Sequence, residues 1–131
     1  MIKRNLAAAL TAGMLATGGV LLTTAPAQAA ACRSGSLCAY VAEQPSSASA
    51  YDSRTWTGSP GTVSGSNKNL LQYTKFDQAR SLYNNKAGYS ALVYAQRNHQ
   101  GSPFELSDGS GWKTIRGSAL WHNVASNKWV R

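Results

Sequence analysis

Phe76–Tyr94, FDQARSLYNNKAGYSALVY, is the stretch on which the reading of this chain turns. Asn84, Asn85 and Gly88 are turn formers, because asparagine tolerates left-handed backbone and glycine takes positive φ without steric cost. Beyond them Tyr89, Ala91 and Val93 alternate with Ser90, Leu92 and Tyr94, the period-two pattern of a strand. The stretch therefore joins the end of one structural unit to the first strand of the next. The segments on either side read as diverged copies of one pattern.

On the N-terminal side, Ser36–Ala42 sets Leu37, Ala39 and Val41 against Cys38 and Tyr40 and reads as a strand. Gln44–Ala50 reads as a loop, and Ala50–Thr57 as a second strand carrying Tyr51 and Trp56. Gly58–Asn69 is rich in Gly, Ser, Pro and Asn, which predicts a long surface loop with little core material. On the C-terminal side, Arg97–Ser102 is a turn and Phe104–Ser107 a short strand with Phe104 and Leu106 on one face. Ser107–Gly111 is a second turn, Trp112–Arg116 a further strand, and Ala119–Val130 closes the chain. After the first thirty residues no segment carries a long 3.6-period apolar pattern with caps. The class is all-β, a sandwich or barrel of short strands.

An internal echo supports two units, about 32–85 and 86–131. Leu37–Tyr40 matches Ala91–Tyr94, and each Tyr is followed by polar turn residues and a Trp-bearing segment, at Trp56 and Trp112. Asp77-Gln78-Ala79-Arg80-Ser81 and Asn123-Val124-Ala125-Ser126-Asn127 close the two units, with the extra length of the first assigned to Gly58–Asn69.

The beginning of the chain reads as a leader. Lys3 and Arg4 precede the uncharged run Leu6–Leu22, and Ala27-Gln28-Ala29 is a small-x-small cleavage site. These are the parts of a secretory signal peptide spanning residues 1–29, with a single domain over 30–131. No membrane attachment is expected after cleavage. Two of the thirteen Lys and Arg fall in the leader, leaving eleven against five acids, a mature charge of +6. Such an excess favours solubility and attracts acidic surfaces. Its basic residues are scattered, which argues against nucleic acid as a partner. Cys32 and Cys38 are the two cysteines. In an exported chain a disulfide is their natural state. The ring they close is small, so it pins one end locally, at about 2 kcal/mol in the loop-entropy model. Zinc needs more thiols or suitably spaced histidines.

Cys32-Arg33-Ser34-Gly35-Ser36-Leu37-Cys38-Ala39-Tyr40 resembles the C-x-x-G-x-x-C-x-Y opening of the secreted bacterial metalloproteinase-inhibitor family with a βγ-crystallin-like fold. Ala79-Arg80-Ser81-Leu82 sits where that family carries an A-[SR]-S-apolar segment. Tyr94 with His99 and Gly101 resembles the aromatic-x4-aromatic-x-Gly of crystallin Greek keys. Of the corresponding first-unit positions, Tyr40, Pro45 and Ser47, the Tyr alone is kept. The resemblance implies two Greek-key motifs packed as a sandwich, and inhibition of secreted metallopeptidases by a substrate-like loop. The characterised inhibitor type carries its reactive bond beside a second cysteine pair, which this chain lacks.

Many crystallin modules bind calcium through an [ND]-[ND]-x-x-[ST]-S segment. Aligned here are Phe76–Ser81, with Asp77, Arg80 and Ser81, and His122–Asn127, with Asn123 and Ser126. Calcium wants six to eight oxygen ligands. Phe76 removes one, Arg80 places a cation at the hydroxyl position, and the second segment has no carboxylate. No metal or cofactor is expected, with Arg80 standing in for the ion by satisfying loop carbonyls or Asp77. Catalysis is not expected either: a glycosidase pair among Glu43, Asp52, Asp77, Glu105 and Asp108 is weaker than their reading as solvated acids, and neither a G-x-S-x-G elbow nor paired histidines accompany His99 and His122.

The reading is a secreted, monomeric peptidase inhibitor. Its inhibitory loop is placed at Arg97, Asn98, His99 and Gln100, a short segment bounded by strands and so cheap to hold still. The alternative is a non-inhibitory extracellular sandwich that binds cell-wall polymer or acts as an antimicrobial or toxin-like module, for which exposed aromatics such as Trp129 would stack on sugars.

Overall fold

A computed structural model describes residues 31–131. The leader and its cleavage site lie outside the described residues. Seven short strands form two antiparallel sheets. They are β1 (Leu37–Tyr40), β2 (Gly61–Val63), β3 (Ser81–Asn84), β4 (Ser90–Tyr94), β5 (Phe104–Leu106), β6 (Ser110–Trp112) and β7 (Ser126–Val130). One sheet has the order β2-β1-β3-β6 and the other β5-β4-β7.

The two halves exchange chain at the sheet margins. β6, from the second half, pairs with β3 through Leu82↔Trp112 and Asn84↔Ser110. In return, Asn67 from the first half bridges to Asn127 on β7. The fold is thus an all-β sandwich of two Greek keys, each lending a short segment to the other's sheet.

The seam stretch folds as its residues dictate. Ser81–Asn84 is β3, and Gly88 takes φ 82 in the turn that leads into β4. Asn84 ends β3 fully buried, and its side chain supports the turn. The amide nitrogen donates to the carbonyls of Tyr89 (2.8 Å) and Leu106 (2.9 Å), while its oxygen accepts from the backbone of Lys86 (2.8 Å). A buried amide satisfied on both sides fixes where one unit stops and the next begins.

The alternation in β1 is real, yet all four of its residues are buried. Leu37 and Ala39 face the main core between the sheets, with Phe76, Leu82, Ala91, Val93, Leu106 and Val124. Cys38 and Tyr40 face the opposite way, into a second cluster with Cys32, Ala48, Trp56 and Tyr83. The outer face of the first sheet is covered by the disulfide-closed N-terminus and the long segment after β1. The Cys32–Cys38 disulfide is present.

Several expectations from the sequence change. Ala50–Thr57 is not a strand. Ser53–Thr55 is a 3-10 turn with Asp52 as its cap, the Asp52 side chain accepting from the Arg54 backbone at 3.0 Å. Thr55 Oγ1 also donates to the Asp52 carbonyl at 2.7 Å. Short polar side chains here satisfy the backbone locally and outcompete a ladder. Gly58–Asn69 is not a plain loop, since it supplies β2 and the Asn67 bridge. Thr74–Asp77 makes one helical turn that buries Phe76. The strand expected over Trp112–Arg116 lies instead at Ser110–Trp112, taking in the end of the expected Ser107–Gly111 turn. Phe104 and Leu106 share a face as expected, but Leu106 is buried and Phe104 is exposed at the sandwich edge.

Candidate functional site

The two first hairpins, one per half, are built on the same contacts. Arg80 N donates to the Tyr40 carbonyl (2.8 Å) and Ala125 N to the Tyr94 carbonyl (2.9 Å). Ser81 Oγ donates to the Ala42 carbonyl (2.7 Å) and Ser126 Oγ to the Gln96 carbonyl (2.6 Å). These bonds make Arg80 the equivalent of Ala125 and Ser81 the equivalent of Ser126. The closing phrases are therefore offset by one residue from their sequence alignment: Asp77 corresponds to His122, not to Asn123.

In the second half the hairpin is tight. Tyr94 packs on His99 with ring centroids 5.4 Å apart, and Gly101 follows at φ 83. The Arg97–His99 segment is a compact turn in which Asn98 and His99 take left-handed backbone, φ 61 and 58. It is held from below. Asn98 N donates to the Lys68 carbonyl (2.8 Å), His99 N to Ser126 Oγ (3.2 Å), and His99 Nε2 lies 2.8 Å from the Asn127 carbonyl. His99 is thus turned inward as part of the scaffold, and Arg97, Asn98 and Gln100 are left to solvent.

In the first half the corresponding pair is Tyr40 and Trp56, with ring centroids 5.1 Å apart, followed by Gly58 at φ 94. The residues that answer His99-Gln100-Gly101 are Trp56-Thr57-Gly58, not Pro45 and Ser47. The signal was present in the sequence: Gly58 precedes β2 by the same interval that Gly101 precedes β5. A variable loop length between Tyr and the second aromatic hid it. Four residues intervene in the second hairpin and fifteen in the first. The extra length of the first half lies here, not in Gly58–Asn69.

That fifteen-residue loop is anchored throughout. Gln44 is buried and its side chain donates to Thr57 O and Ser81 Oγ, and accepts from Thr57 N at 2.7 Å. Lys113 Nζ donates to the carbonyls of Ser46 (3.1 Å) and Ala48 (2.9 Å). Gly111 N donates to the Ala50 carbonyl (2.7 Å), and Trp56 Nε1 to that of Ser49 (2.6 Å). Cys32 N donates to Ser53 Oγ (3.0 Å), which ties the loop to the disulfide.

Charge gathers at two places. Glu43 accepts from Arg116 Nε and Nη2 at 3.1 and 2.9 Å, and also from the Thr114 hydroxyl. These bonds, Arg116 first, hold the Glu43 carboxyl down at about 2. Arg116 lies over the Trp121 ring (4.6 Å), and Arg80 approaches the same ring (5.5 Å) while its Nε donates to His122 Nε2 (3.1 Å). Arg80 therefore bonds to His122 and not to loop carbonyls or Asp77. Elsewhere Lys86 and Arg131 flank Tyr89, with Lys86 also over Trp129 (5.1 Å). Trp129 packs partly against the main core and donates Nε1 to Gly65 O. Among the described residues no three His, Cys, Asp or Glu side chains converge.

The model of peptidase inhibitor family I36 matches residues 25–106. No curated protein matches the chain. A solved structure described as "Evolution of the eye lens beta-gamma-crystallin domain fold" is similar with a TM-score of 0.54 at 14% identity. The match covers 83% of this chain and 92% of that one. At that identity the likeness concerns the fold alone, and it agrees with the two exchanged Greek keys described above.

Proposed function

We propose that this chain, which belongs to peptidase inhibitor family I36, is exported and inhibits an extracellular metallo- or serine peptidase through a preformed surface loop. The family makes it an inhibitor rather than an enzyme. The observation that carries the loop mechanism is the anchoring of both first hairpins by buried and part-buried polar bonds, at Gln44 and Ser81 in one and at Ser126 and His99 in the other. An inhibitor that enters a cleft must already hold its bound shape, because each residue ordered on binding subtracts from affinity. Floppy loops bind weakly and are cut.

Residues 1–29 are removed on export in this proposal, and the mature chain acts as a monomer. The two hairpins are alternative contact loops. Arg97, Asn98 and Gln100 offer a polar, basic contact, and the longer loop after Tyr40 offers the exposed Val41 and Tyr51. The test is titration of the mature protein against a panel of secreted metallo- and serine peptidases with fluorogenic peptides. Inhibition of at least one, at a stoichiometry near one to one, is expected. No inhibition across the panel overturns the proposal.

A second reading is favoured by one observation. Lys86 and Arg131 around Tyr89 and Trp129 form a cationic, aromatic surface suited to an anionic wall polymer. Retention on cell-wall material, lost in salt, is its signature.

A further inference from the structure

The largest exposed aromatic surface of the described chain sits on its most heavily anchored loop. Tyr51 is 77% exposed. Covering such a ring with a partner is favourable in proportion to the apolar area removed from water. The Tyr51 backbone is held on both sides. On one side, the Ala50 carbonyl accepts from Gly111 N of β6 at 2.7 Å, and Tyr51 N itself donates to Ser49 Oγ at 3.0 Å. On the other, Asp52 accepts from Arg54 N, Nε and Nη2 at 2.9–3.0 Å, and Ser53 is buried beneath, bonded to Cys32 N. Asp52 directly follows with extended backbone, φ −149 and ψ 100, the conformation that pairs with a strand edge.

From this juxtaposition we infer that Tyr51 is the anchor this protein presents to its target, inserting into a peptidase specificity pocket that accepts a large aromatic side chain. The inference rests on the inhibitory reading above and specifies its site and partner. Aromatic anchors on preorganised backbone dominate interface energetics, since a Tyr covers much area with few rotatable bonds. The bidentate Asp52–Arg54 pair cancels the charge beside the anchor, so the approaching pocket meets an aromatic ring between neutralised flanks. The inserted length of the first hairpin then has a use: it supplies the anchored turn on which Tyr51 stands in solvent.

The experiment compares the mature wild type, Tyr51→Ala, Tyr51→Phe and the triple variant Arg97→Ala/Asn98→Ala/Gln100→Ala on the same peptidase panel, with thermal melts for each. Wild type is expected to inhibit a peptidase that prefers aromatic residues. Tyr51→Ala should raise the inhibition constant about tenfold or more, with an unchanged melting temperature because the side chain is exposed. Tyr51→Phe should retain inhibition, and the triple variant should weaken it less than Tyr51→Ala does. If wild type inhibits and Tyr51→Ala inhibits equally well, the Tyr51 inference is overturned while the inhibitory reading stands. Loss of inhibition in the triple variant alone also overturns it and assigns the contact to the second hairpin. If wild type inhibits none of the panel, the inhibitory reading itself fails.

Discussion

The indole of Trp56 lies directly on the backbone of Gly111. A Cβ at position 111 would sit 2.6 Å from both Cζ2 and Cη2 of that ring, and 2.6 Å from Tyr83 Cδ2. Trp56 belongs to the long loop of the first half and Gly111 to β6 of the second, so this contact closes the outer cluster across the strand exchange. Its position explains why Gly111 carries no side chain while its amide still reaches the Ala50 carbonyl.

Gly111→Ala is therefore expected to destabilise the fold by about 1–3 kcal/mol, the usual cost of forcing atoms into a filled core. Denaturant unfolding of the two proteins measures it. The substitution acts by displacing Trp56, so near-ultraviolet circular dichroism should change as well. A variant as stable as wild type would mean that the Trp56 ring can shift freely.

Removing the disulfide with Cys32→Ser/Cys38→Ser should lower stability by about 2 kcal/mol, the loop-entropy value for a ring this small. The consequence is directed, because Cys32 N holds Ser53 at the base of the Tyr51 turn. Limited proteolysis is expected to cut the double variant first between residues 49 and 55. Cutting elsewhere with that loop intact would contradict the coupling.

Tyr40 is fully buried, and its hydroxyl has no hydrogen-bond partner among the described residues. Burial, with Tyr83 nearby as a lesser cause, pushes its ionisation up to about 12. The folded value lies above the ordinary 10.0, so the neutral phenol's contribution is complete below that value and is lost as pH rises from about 10 to about 12. Tyr40→Phe removes an unpaired polar atom and is expected to raise stability by ~1 kcal/mol. It should also flatten the alkaline fall. Equal alkaline profiles for the two proteins would refute this account.

Glu43 behaves in the opposite sense. Its carboxyl is held at about 2 against an ordinary 4.5, chiefly by Arg116 and next by Thr114. A depressed carboxylate contributes above its unfolded value, and that contribution is lost as pH falls from about 4.5 towards 2. The pair is solvent-exposed, so its effect is small and screened by salt. Glu43→Gln should lessen the acid-side drop in melting temperature, most visibly at low ionic strength.

Calcium in millimolar amounts is expected to leave the melting temperature unchanged. With Ser81 equivalent to Ser126, the two crystallin-type segments present Arg80 and Ala125 where a hydroxyl ligand would stand, and Arg80 is bonded to His122. A rise with calcium and not with magnesium would reveal native-state binding.

The fold was legible where side-chain pattern and turn chemistry agree. β1, β4 and the Asn84–Gly88 turn were readable because alternation and left-handed turn residues are local signals. The second aromatic of the first hairpin was not, since Trp56 reaches Tyr40 across fifteen intervening residues and no local rule fixes that length. Ala50–Thr57 was misread as a strand because Tyr51 and Trp56 look like strand residues, whereas Asp52 and Thr55 cap a turn there.

The candidate site divides in the same way. Sequence alone identified the all-β class, the Cys32–Cys38 pairing and the inhibitor resemblance, since these rest on composition, spacing and motif. It also singled out Arg97–Gln100 as a short bounded loop. Tertiary structure alone decided that His99 turns inward to the Asn127 carbonyl, that β6 crosses to the first sheet, and that Tyr51 stands in solvent on an anchored turn. The physical reason is that exposure and rigidity are properties of what lies underneath a residue. For Tyr51 that support comes from Gly111, Lys113 and Cys32, which the chain brings together only after the two halves have exchanged strands.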